Sequence, residues 1–191
     1  MSIEIEVKVR APSLAVVRQS LKVARAKRVG TRFEVNAFFD TPERAMKVRG
    51  EGLRLRSMRD SKFNATTSVI TFKGPRETGE VSRREEIEFA IGNFDDAAAL
   101  LAKLGYERRL GFEKRRETWT LDGCLVELDE LPYLGTFVEI EGDSDARVLK
   151  TLKKLGLSHE EPIPRGYISM IDKLVREQPK LGPTVRFSKR L

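Results

Sequence analysis

The chain has very little cysteine and histidine, and this excludes several kinds of site. Among its 191 residues, Cys124 is the only cysteine and His159 is the only histidine. An internal disulfide, a cysteine-rich zinc site and a CxxC redox pair are therefore excluded. A Ser/His/Asp triad or a multi-histidine metal centre is disfavoured for the same reason. A single cysteine is also typical of a protein from a reducing compartment.

Long apolar runs are absent as well. No stretch of about 18 apolar residues occurs, which is the length that a membrane-spanning helix needs. The opening residues, MSIEIEVKVR, carry two acids where a signal peptide would have a positive region followed by an apolar one. We therefore expect a cytoplasmic protein with no membrane partner.

Charge is abundant in both signs. Lys and Arg number 36 against 29 Asp and Glu, for a net charge of +7, which favours anionic partners without selecting among them. Residues 178–191 contain four cations and no acid, so their removal would lower the net charge to +3. The length and the 40% hydrophobic content suit one compact domain. We predict one domain over residues 1–177 and a basic, flexible tail over 178–191.

Charged residues alternate with apolar ones along much of the chain. Residues 3–10 place Ile and Val on one face of a predicted strand and Glu, Lys and Arg on the other. Further strands are predicted at 52–57, 68–73, 82–90, 113–121 and 124–130, and the Glu-Ile-Glu of residues 4–6 recurs at 86–88 and 139–141. Helix-like runs follow each Glu-Ile-Glu strand, and another helix is predicted at 165–175.

These strands do not suit an ordinary sandwich, because the inner faces of a sandwich are apolar. Most of them are joined by short turns rich in Gly, Pro or Asp, which indicates antiparallel pairing. We therefore predict an α+β fold in which an antiparallel barrel of about eight strands encloses the charged faces. The helices would cover its apolar outer surface.

The predicted charged faces hold cations and acids together. Such a set would be explained by a polyphosphate with a divalent metal, because cations bind phosphate oxygens and carboxylates bind the metal. The alternative is that these are solvated strand faces with salt bridges worth about 0–1 kcal/mol each. Repetition in nearly every strand weighs against that alternative. The cations are Lys8, Arg54, Arg56, Lys73, Arg84, Lys114 and Arg116, and the acids are Glu4, Glu6, Glu86, Glu88, Asp129, Glu139 and Glu141.

An ordered set of motifs resembles the CYTH superfamily, which contains class IV adenylate cyclases and thiamine or inorganic triphosphatases. The set comprises the ExExK of residues 4–8, LRLR at 53–56, TFKG at 71–74, REEIE at 84–88, KRR at 114–116 and LDELPYLGTFVEIEG at 128–142. The similarity extends over about residues 3–175. It implies the triphosphate tunnel fold, an eight-stranded antiparallel barrel. Many relatives have Ser-Tyr near the last helix, where this chain has Gly166 and Tyr167.

The resemblance also implies roles for particular residues. FEVNAFFDTP (33–42) is similar to the family's entrance segment, although we expect its aromatic residues to lie in the core. Mg or Mn would be held by carboxylates, with Glu86 as a further contributor, and catalysis would involve Glu139, Lys73 and Arg116. The implied metal ligands are Glu4, Glu6, Asp129, Glu139 and Glu141, and the implied triphosphate ligands are Lys8, Arg54, Arg56, Lys73, Arg84, Lys114 and Arg116.

Three functions stay open at this point. The motifs FFDTP, FKGP and LDELPYLGTFVEIEG are most similar in sequence to those of class IV cyclases. Such an enzyme would convert ATP to cyclic AMP and pyrophosphate. A triphosphatase acting on thiamine triphosphate or tripolyphosphate is the alternative. The third is a non-catalytic module that binds polyphosphate or nucleic acid, but the clustered acids would repel nucleic acid. The expected partner is a nucleoside triphosphate or another triphosphate, and a homodimer stays open.

Overall fold

A computed structural model describes residues 2–77, 79 and 81–188 of the chain. These residues form nine strands and five short helices, with a 3₁₀ turn, Pro179–Leu181, before the last strand. The strands are β1 Ser2–Arg10, β2 Lys27–Asp40, β3 Gly52–Asp60, β4 Thr66–Glu77, β5 Ser82–Ile91, β6 Glu107–Leu121, β7 Cys124–Leu131, β8 Gly135–Gly142 and β9 Thr184–Val185. The helices are α1 Leu14–Val23, α2 Ala45–Val48, α3 Phe94–Lys103, α4 Asp145–Lys154 and α5 Tyr167–Glu177.

Strands β1 to β8 form a closed antiparallel barrel in the order β2-β3-β4-β5-β1-β8-β7-β6. The barrel closes where β2 pairs with β6, from Lys27 opposite Thr120 to Asp40 opposite Glu107. This confirms the predicted α+β barrel. Strand β2 is an addition to the prediction, because residues 33–42 were interpreted only as an entrance segment.

The alternation of each strand sorts its residues between the two surfaces of the barrel. In β1, Val7 and Val9 point outward and are buried beneath helices, whereas Glu6 and Lys8 point inward. Helices α1 and α4 supply the cover, with Val17 from α1 among its buried residues. Burial of each such aliphatic side chain contributes about 1.5–3 kcal/mol, so the apolar faces drive assembly of the barrel.

Helix α5 packs differently, because it lies against residues of the inner surface. Its residues Tyr167 and Ile171 contact Phe112 and Phe137, which share the inward parity of the charged residues on β6 and β8. The helix thus covers one end of the barrel interior. None of the described helices is long and apolar enough to cross a membrane.

The end of the described chain is a packed segment rather than the flexible tail expected from residue 178. Val185 is buried in β9, which pairs in parallel with β6. The backbone N–H of Phe187 donates to a Glu113 carboxylate oxygen at 2.9 Å, and the Arg115 guanidinium lies over the Phe187 ring at 4.1 Å. The expectation is therefore corrected over residues 179–188, because these apolar side chains find partners on β6. Residues 189–191, which include two of the predicted tail cations, lie outside the described residues.

Candidate active site

A cavity of about 1130 Å³ occupies the barrel interior. Every strand of the closed barrel contributes at least one charged side chain to its wall, because the inward parity of each strand is the charged one. One contributor from each of β1 to β8 is Glu4, Arg32, Arg54, Lys73, Arg84, Lys114, Glu127 and Glu139, in that order.

Arg116 of β6 is the centre of the most buried set of charges. Its Nε lies 2.6 Å from Oδ1 of Asp129, the residue opposite it on β7. The same guanidinium also donates to Glu127 and Glu139, which face each other across β7 and β8. Burial alone would lower the pKa of Arg116, but the three carboxylates outweigh this and hold it well above the ordinary value.

Two lysines and a further carboxylate complete this set. Nζ of Lys114 lies 3.2 Å from Glu34 and 3.4 Å from Asp129, and Nζ of Lys8 lies 3.2 Å from Glu139. Burial raises the pKa of Glu34, but Lys114 and the neighbouring arginines outweigh it and hold the pKa well below the usual range. We call this set the arginine cluster: Lys8, Glu34, Lys114, Arg116, Glu127, Asp129 and Glu139.

Tyr167 connects helix α5 to the arginine cluster. Its hydroxyl donates to Asp129 at 2.9 Å, and the Lys8 ammonium lies 4.2 Å from the centre of its ring. Burial and the nearby Asp129 raise the pKa of Tyr167 well above the ordinary value, so the hydroxyl keeps its proton and acts as a donor. Gly166 caps α5 without a side chain, so the serine hydroxyl of many relatives is missing there.

The cations on β4 and at its end pair with acids of β1 and β5. Nζ of Lys73 lies 2.7 Å from Glu4 and 2.9 Å from Glu86. Arg76 lies 3.2 Å from Glu6. These pairs place three walls of the barrel in electrostatic contact across one end of the cavity.

The remaining predicted cations lie on β3 and β5. Arg56 pairs with Glu88 at 2.9 Å, and Arg84 donates to the Gly74 carbonyl at 2.6 Å. Burial, with the neighbouring Arg56 second, lowers the pKa of Arg54 to about 10. A buried arginine so close to a second one is suited to an additional anion.

Glu4, Glu6 and Glu141 form a contrasting set, which we call the acidic group. Glu6 lies directly opposite Glu141 in the pairing of β1 with β8. The Glu141 side chain makes no hydrogen bond or ion pair with the described residues. Burial, followed by the charges of Glu4 and Glu127, raises its pKa to about 7. Burial and the nearby Glu139 likewise raise the pKa of Glu6.

The acidic group fits a hard divalent cation. Carboxylates that face each other destabilise the charged state, and an oxygen-bound cation such as Mg²⁺ or Mn²⁺ would offset this repulsion. In the present side-chain arrangement no three acids, histidines or cysteines among the described residues converge as a complete metal site. Glu4 and Glu6 instead contact Lys73 and Arg76. Binding of a metal would therefore involve exchange of these ion pairs.

Most of the residues that the sequence predicts for the site meet in one cavity. All seven predicted triphosphate ligands line it, as do four of the five predicted metal ligands. Asp129 is the exception: it is fully buried behind Arg116, and its contacts suit it to hold that guanidinium in place. Its assignment as a metal ligand, like the other assigned roles, stays a prediction.

The charged residues of the site that the sequence interpretation missed include Arg32, Glu34, Arg76 and Glu127. Arg32 links Glu34 and Glu127, at 2.7 and 3.1 Å, and Arg76 contacts Glu6. A signal for Arg32 and Glu34 was present, because residues 32–38 (RFEVNAF) alternate polar and apolar side chains. Glu127 shares the parity of Asp129 in LVELDEL, so it could have been found in the same way.

The chain belongs to the CYTH domain family, whose family model matches residues 2–167. This match covers every strand of the closed barrel and the start of α5. The class defined by the fold and the site is therefore that of a CYTH barrel with a charged interior.

Relatives and solved structures agree with this class. The chain is 27% identical over 177 residues to a putative adenylate cyclase of Methanocaldococcus jannaschii, covering 88% of this chain and 98% of the relative. It is 29% identical over 148 residues to the adenylate cyclase CyaB of Aeromonas hydrophila, covering 73% and 72%. A Pyrococcus horikoshii protein matches with a TM-score of 0.76 and 24% identity, covering 90% and 99%. A Hippeastrum putative adenylyl cyclase, described as revealing a dominant triphosphatase activity, matches at 0.68 and 23%, covering 89% and 95%.

Proposed function

We propose that this protein is an adenylate cyclase that binds ATP with Mg²⁺ or Mn²⁺ inside the barrel and forms cyclic AMP and pyrophosphate. The observation that carries the proposal is the convergence of cations from six strands, β1 to β6, on one cavity inside the closed barrel. A triphosphate is the anion with enough separate oxygens to engage such a set at once. The cyclase names of the two curated relatives support the choice of reaction.

The ion pairs of the cavity indicate how such a ligand would enter. Lys73 and Arg56 already lie against Glu4 and Glu88, at 2.7 and 2.9 Å, so their charged ends are ordered before ligand arrives. Phosphate oxygens would replace these carboxylates as partners of the cations. The displaced carboxylates would then need a positive partner, which makes triphosphate and metal binding mutually supportive.

In the proposed reaction the ribose 3′-oxygen attacks the α-phosphorus. A new oxygen–phosphorus bond forms, the bond between the α-phosphorus and the oxygen bridging to the β-phosphate breaks, and the hydroxyl proton passes to solvent water. The cations of the tunnel stabilise the charge that develops on the phosphoryl oxygens and on the leaving pyrophosphate. A divalent cation held by the acidic group would supply further charge neutralisation and polarise a phosphoryl oxygen.

Glu139 was expected to act in catalysis, and a carboxylate at that position could in principle accept the hydroxyl proton. Burial raises its pKa, but Lys8 and Arg116 outweigh burial and hold it well below the usual range. A carboxylate in that state is a weak proton acceptor. Its contacts favour a role in holding Lys8 and Arg116 for the triphosphate, and that role is part of this proposal.

A triphosphatase is the second candidate, because a cation clamp serves both reactions. In that reaction water attacks the terminal phosphorus and inorganic phosphate leaves. The Hippeastrum protein supports this candidate, since it is named a putative cyclase and yet is described as having a dominant triphosphatase activity. The two reactions differ in the attacking oxygen, ribose 3′-hydroxyl or water, and in the phosphorus attacked, the α-phosphorus or the terminal one.

Product analysis tests the proposal. Purified protein would be incubated with Mg²⁺ or Mn²⁺ and ATP, 3′-deoxy-ATP, tripolyphosphate or thiamine triphosphate. We expect cyclic AMP and pyrophosphate from ATP and no cyclic product from 3′-deoxy-ATP, which lacks the attacking oxygen. Release of inorganic phosphate from both nucleotides, without a cyclic product, would establish the triphosphatase instead.

A further inference from the structure

Asn36 of β2 is a buried polar side chain that the barrel does not use. It is only 1% exposed and lines the cavity, yet neither its Oδ1 nor its Nδ2 has a hydrogen-bond partner among the described residues. A buried unsatisfied amide costs about 1–3 kcal/mol, so a partner is expected from outside the chain.

Asn36 lies where the charged part of the cavity wall meets its aromatic part. On β3 it lies opposite Arg56, a predicted triphosphate ligand, and two residues earlier on its own strand is Glu34 of the arginine cluster. On β6 it lies opposite Phe112. Phe38, two residues later, stacks on Phe112 with ring centres 5.9 Å apart and planes 19° apart.

The aromatic side of this boundary also lines the cavity. Phe38, Phe112 and Tyr167 all contribute to its wall, with the Phe112 and Tyr167 rings 6.5 Å apart and nearly perpendicular. Aromatic walls with a few convergent polar groups are typical of sites for organic ligands. A site for phosphate alone would not need them.

The Asn36 amide has both hydrogen-bond donors and an acceptor, and this indicates which kind of triphosphate would satisfy it. Phosphate oxygens bound by the cations of the tunnel are deprotonated and only accept hydrogen bonds, so inorganic tripolyphosphate could satisfy the Asn36 N–H groups but not its carbonyl oxygen. A nucleoside carries hydroxyl or amino groups that donate as well as groups that accept. We propose that Asn36 is a specificity-determining residue that hydrogen-bonds the nucleoside of the substrate beside the aromatic wall. This inference rests on the proposed triphosphate site and specifies a nucleoside triphosphate as its substrate class.

The test compares Asn36→Ala with a matched control. Ser82→Ala removes another buried side-chain oxygen that has no partner, on a residue that does not line the cavity. Binding of ATP and of tripolyphosphate would be measured by calorimetry, in EDTA to limit turnover and then with Mn²⁺. We expect Asn36→Ala to weaken ATP binding about tenfold and to change tripolyphosphate binding less than about twofold. Ser82→Ala should change neither.

Thermal unfolding separates this role from a structural one. Asn36→Ala removes no hydrogen bond within the described residues, so its Tm should equal or exceed that of the unmodified protein. A lower Tm together with equal weakening of both ligands would show that Asn36 supports the barrel, and would overturn the inference. Unchanged binding of both ligands would overturn it as well. Failure of tripolyphosphate to bind the unmodified protein under either condition would instead refute the triphosphate site itself.

Ligand variants identify the contacted part of the nucleoside. The effect of Asn36→Ala would be measured with 2′,3′-dideoxy-ATP, which lacks the sugar hydroxyls, and with purine riboside triphosphate, which lacks the amino group. The effect should disappear with the ligand that lacks the contacted group, as in a double-mutant cycle. A tenfold effect that persists with both ligands would contradict the assigned contact.

Discussion

The arginine cluster and the acidic group share one cavity but differ in how their charges are balanced. In the arginine cluster each carboxylate lies against a cation, and Glu34 and Asp129 are fully buried. In the acidic group Glu6 faces Glu141, and burial with like charges raises the pKa of both. The first set is therefore balanced within itself, whereas in the second Glu4 and Glu6 pair with Lys73 and Arg76 and Glu141 has no cationic partner among the described residues. The ion pairs of the arginine cluster thus stabilise the barrel, whereas a bound cation would stabilise the carboxylates of the acidic group.

Removal of divalent metal should have the largest effect of these changes on turnover. If the acidic group holds a catalytic cation, excess EDTA should abolish turnover, and Mg²⁺ or Mn²⁺ should restore it, because hard cations prefer carboxylate oxygens. Product formation would be followed with each metal added back. The arginine cluster alone cannot supply the missing charge at the acidic group, so full activity in EDTA would contradict the comparison.

Arg116→Ala should be the most destabilising single change in the tunnel. It leaves Asp129, Glu127 and Glu139 without their shared partner, and breaking a buried charge set in this way costs about 3–5 kcal/mol. The free energy of unfolding would be measured by denaturant titration. Arg115→Ala is the matched control, since Arg115 pairs with the partly exposed Glu130 and should cost much less. Equal losses for the two variants would show that the arginine cluster does not stabilise the barrel.

Lys73→Ala should mainly affect ligand binding. Lys73 contacts Glu4 and Glu86 near the acidic group, and its loss removes a charge-assisted contact to the triphosphate. We expect ATP affinity to fall about ten- to hundredfold, measured by calorimetry, with AMP barely binding to either protein. Lys62→Ala makes the same change of charge on an exposed turn and should leave affinity unchanged. Equal affinity for AMP and ATP would argue against a triphosphate clamp.

Glu141→Gln should produce a small stabilisation that depends on pH. The folded-state pKa of about 7 exceeds the ordinary 4.5, so the stability that protonated Glu141 contributes is present below about pH 4.5 and lost as pH rises through 7. The variant avoids this loss. It should therefore be more stable than the unmodified protein at pH 8, by about 1 kcal/mol after allowance for solvent screening, and equally stable near pH 4.5.

Glu139→Gln is the companion variant, two residues earlier on the same strand. Its carboxylate is stabilised by Lys8 and Arg116, so loss of the charge should destabilise the protein at pH 7 as well as reduce turnover. Thermal unfolding of both variants, with and without Mn²⁺, compares the two groups directly. The metal should stabilise the unmodified protein and Glu139→Gln more than Glu141→Gln. A shift of the same sign in both variants without metal would remove the distinction between the groups.

The barrel could be predicted because its strands obey a simple period. Inward charges and outward aliphatics alternate along β1 and β3, and helices α1 and α4 cover the aliphatic side of β1. The same rule extends to Glu127 and to Arg32–Phe38, where it was not applied. Arg76 was beyond its reach, because the register shifts between Lys73 and Arg76 and the parity of β4 changes there.

The direction in which each pKa is shifted could not be predicted from the strand face on which a residue lies. Glu139 and Glu141 occupy equivalent places in the sequence pattern, yet one pKa is lowered and the other is raised. The cause is three-dimensional: Glu139 lies beside Lys8 and Arg116, whereas Glu141 lies beside other carboxylates. The packing of β9 was similarly hidden, since only the folded barrel offers Val185 and Phe187 a surface.

Closure of the barrel through β2 and β6 has a consequence for the order of folding. The Thr120 hydroxyl contacts the carbonyl of Lys27, 93 residues earlier in the chain. A chain emerging from the ribosome thus carries β2 with one edge unpaired until β6 has been synthesised, and such an edge invites pairing with other chains. The charges of the tunnel stay in water until that late step. Because the arginine cluster also includes residues of β7 and β8, its burial and the completion of the sheet both require β6, β7 and β8 and are non-local events.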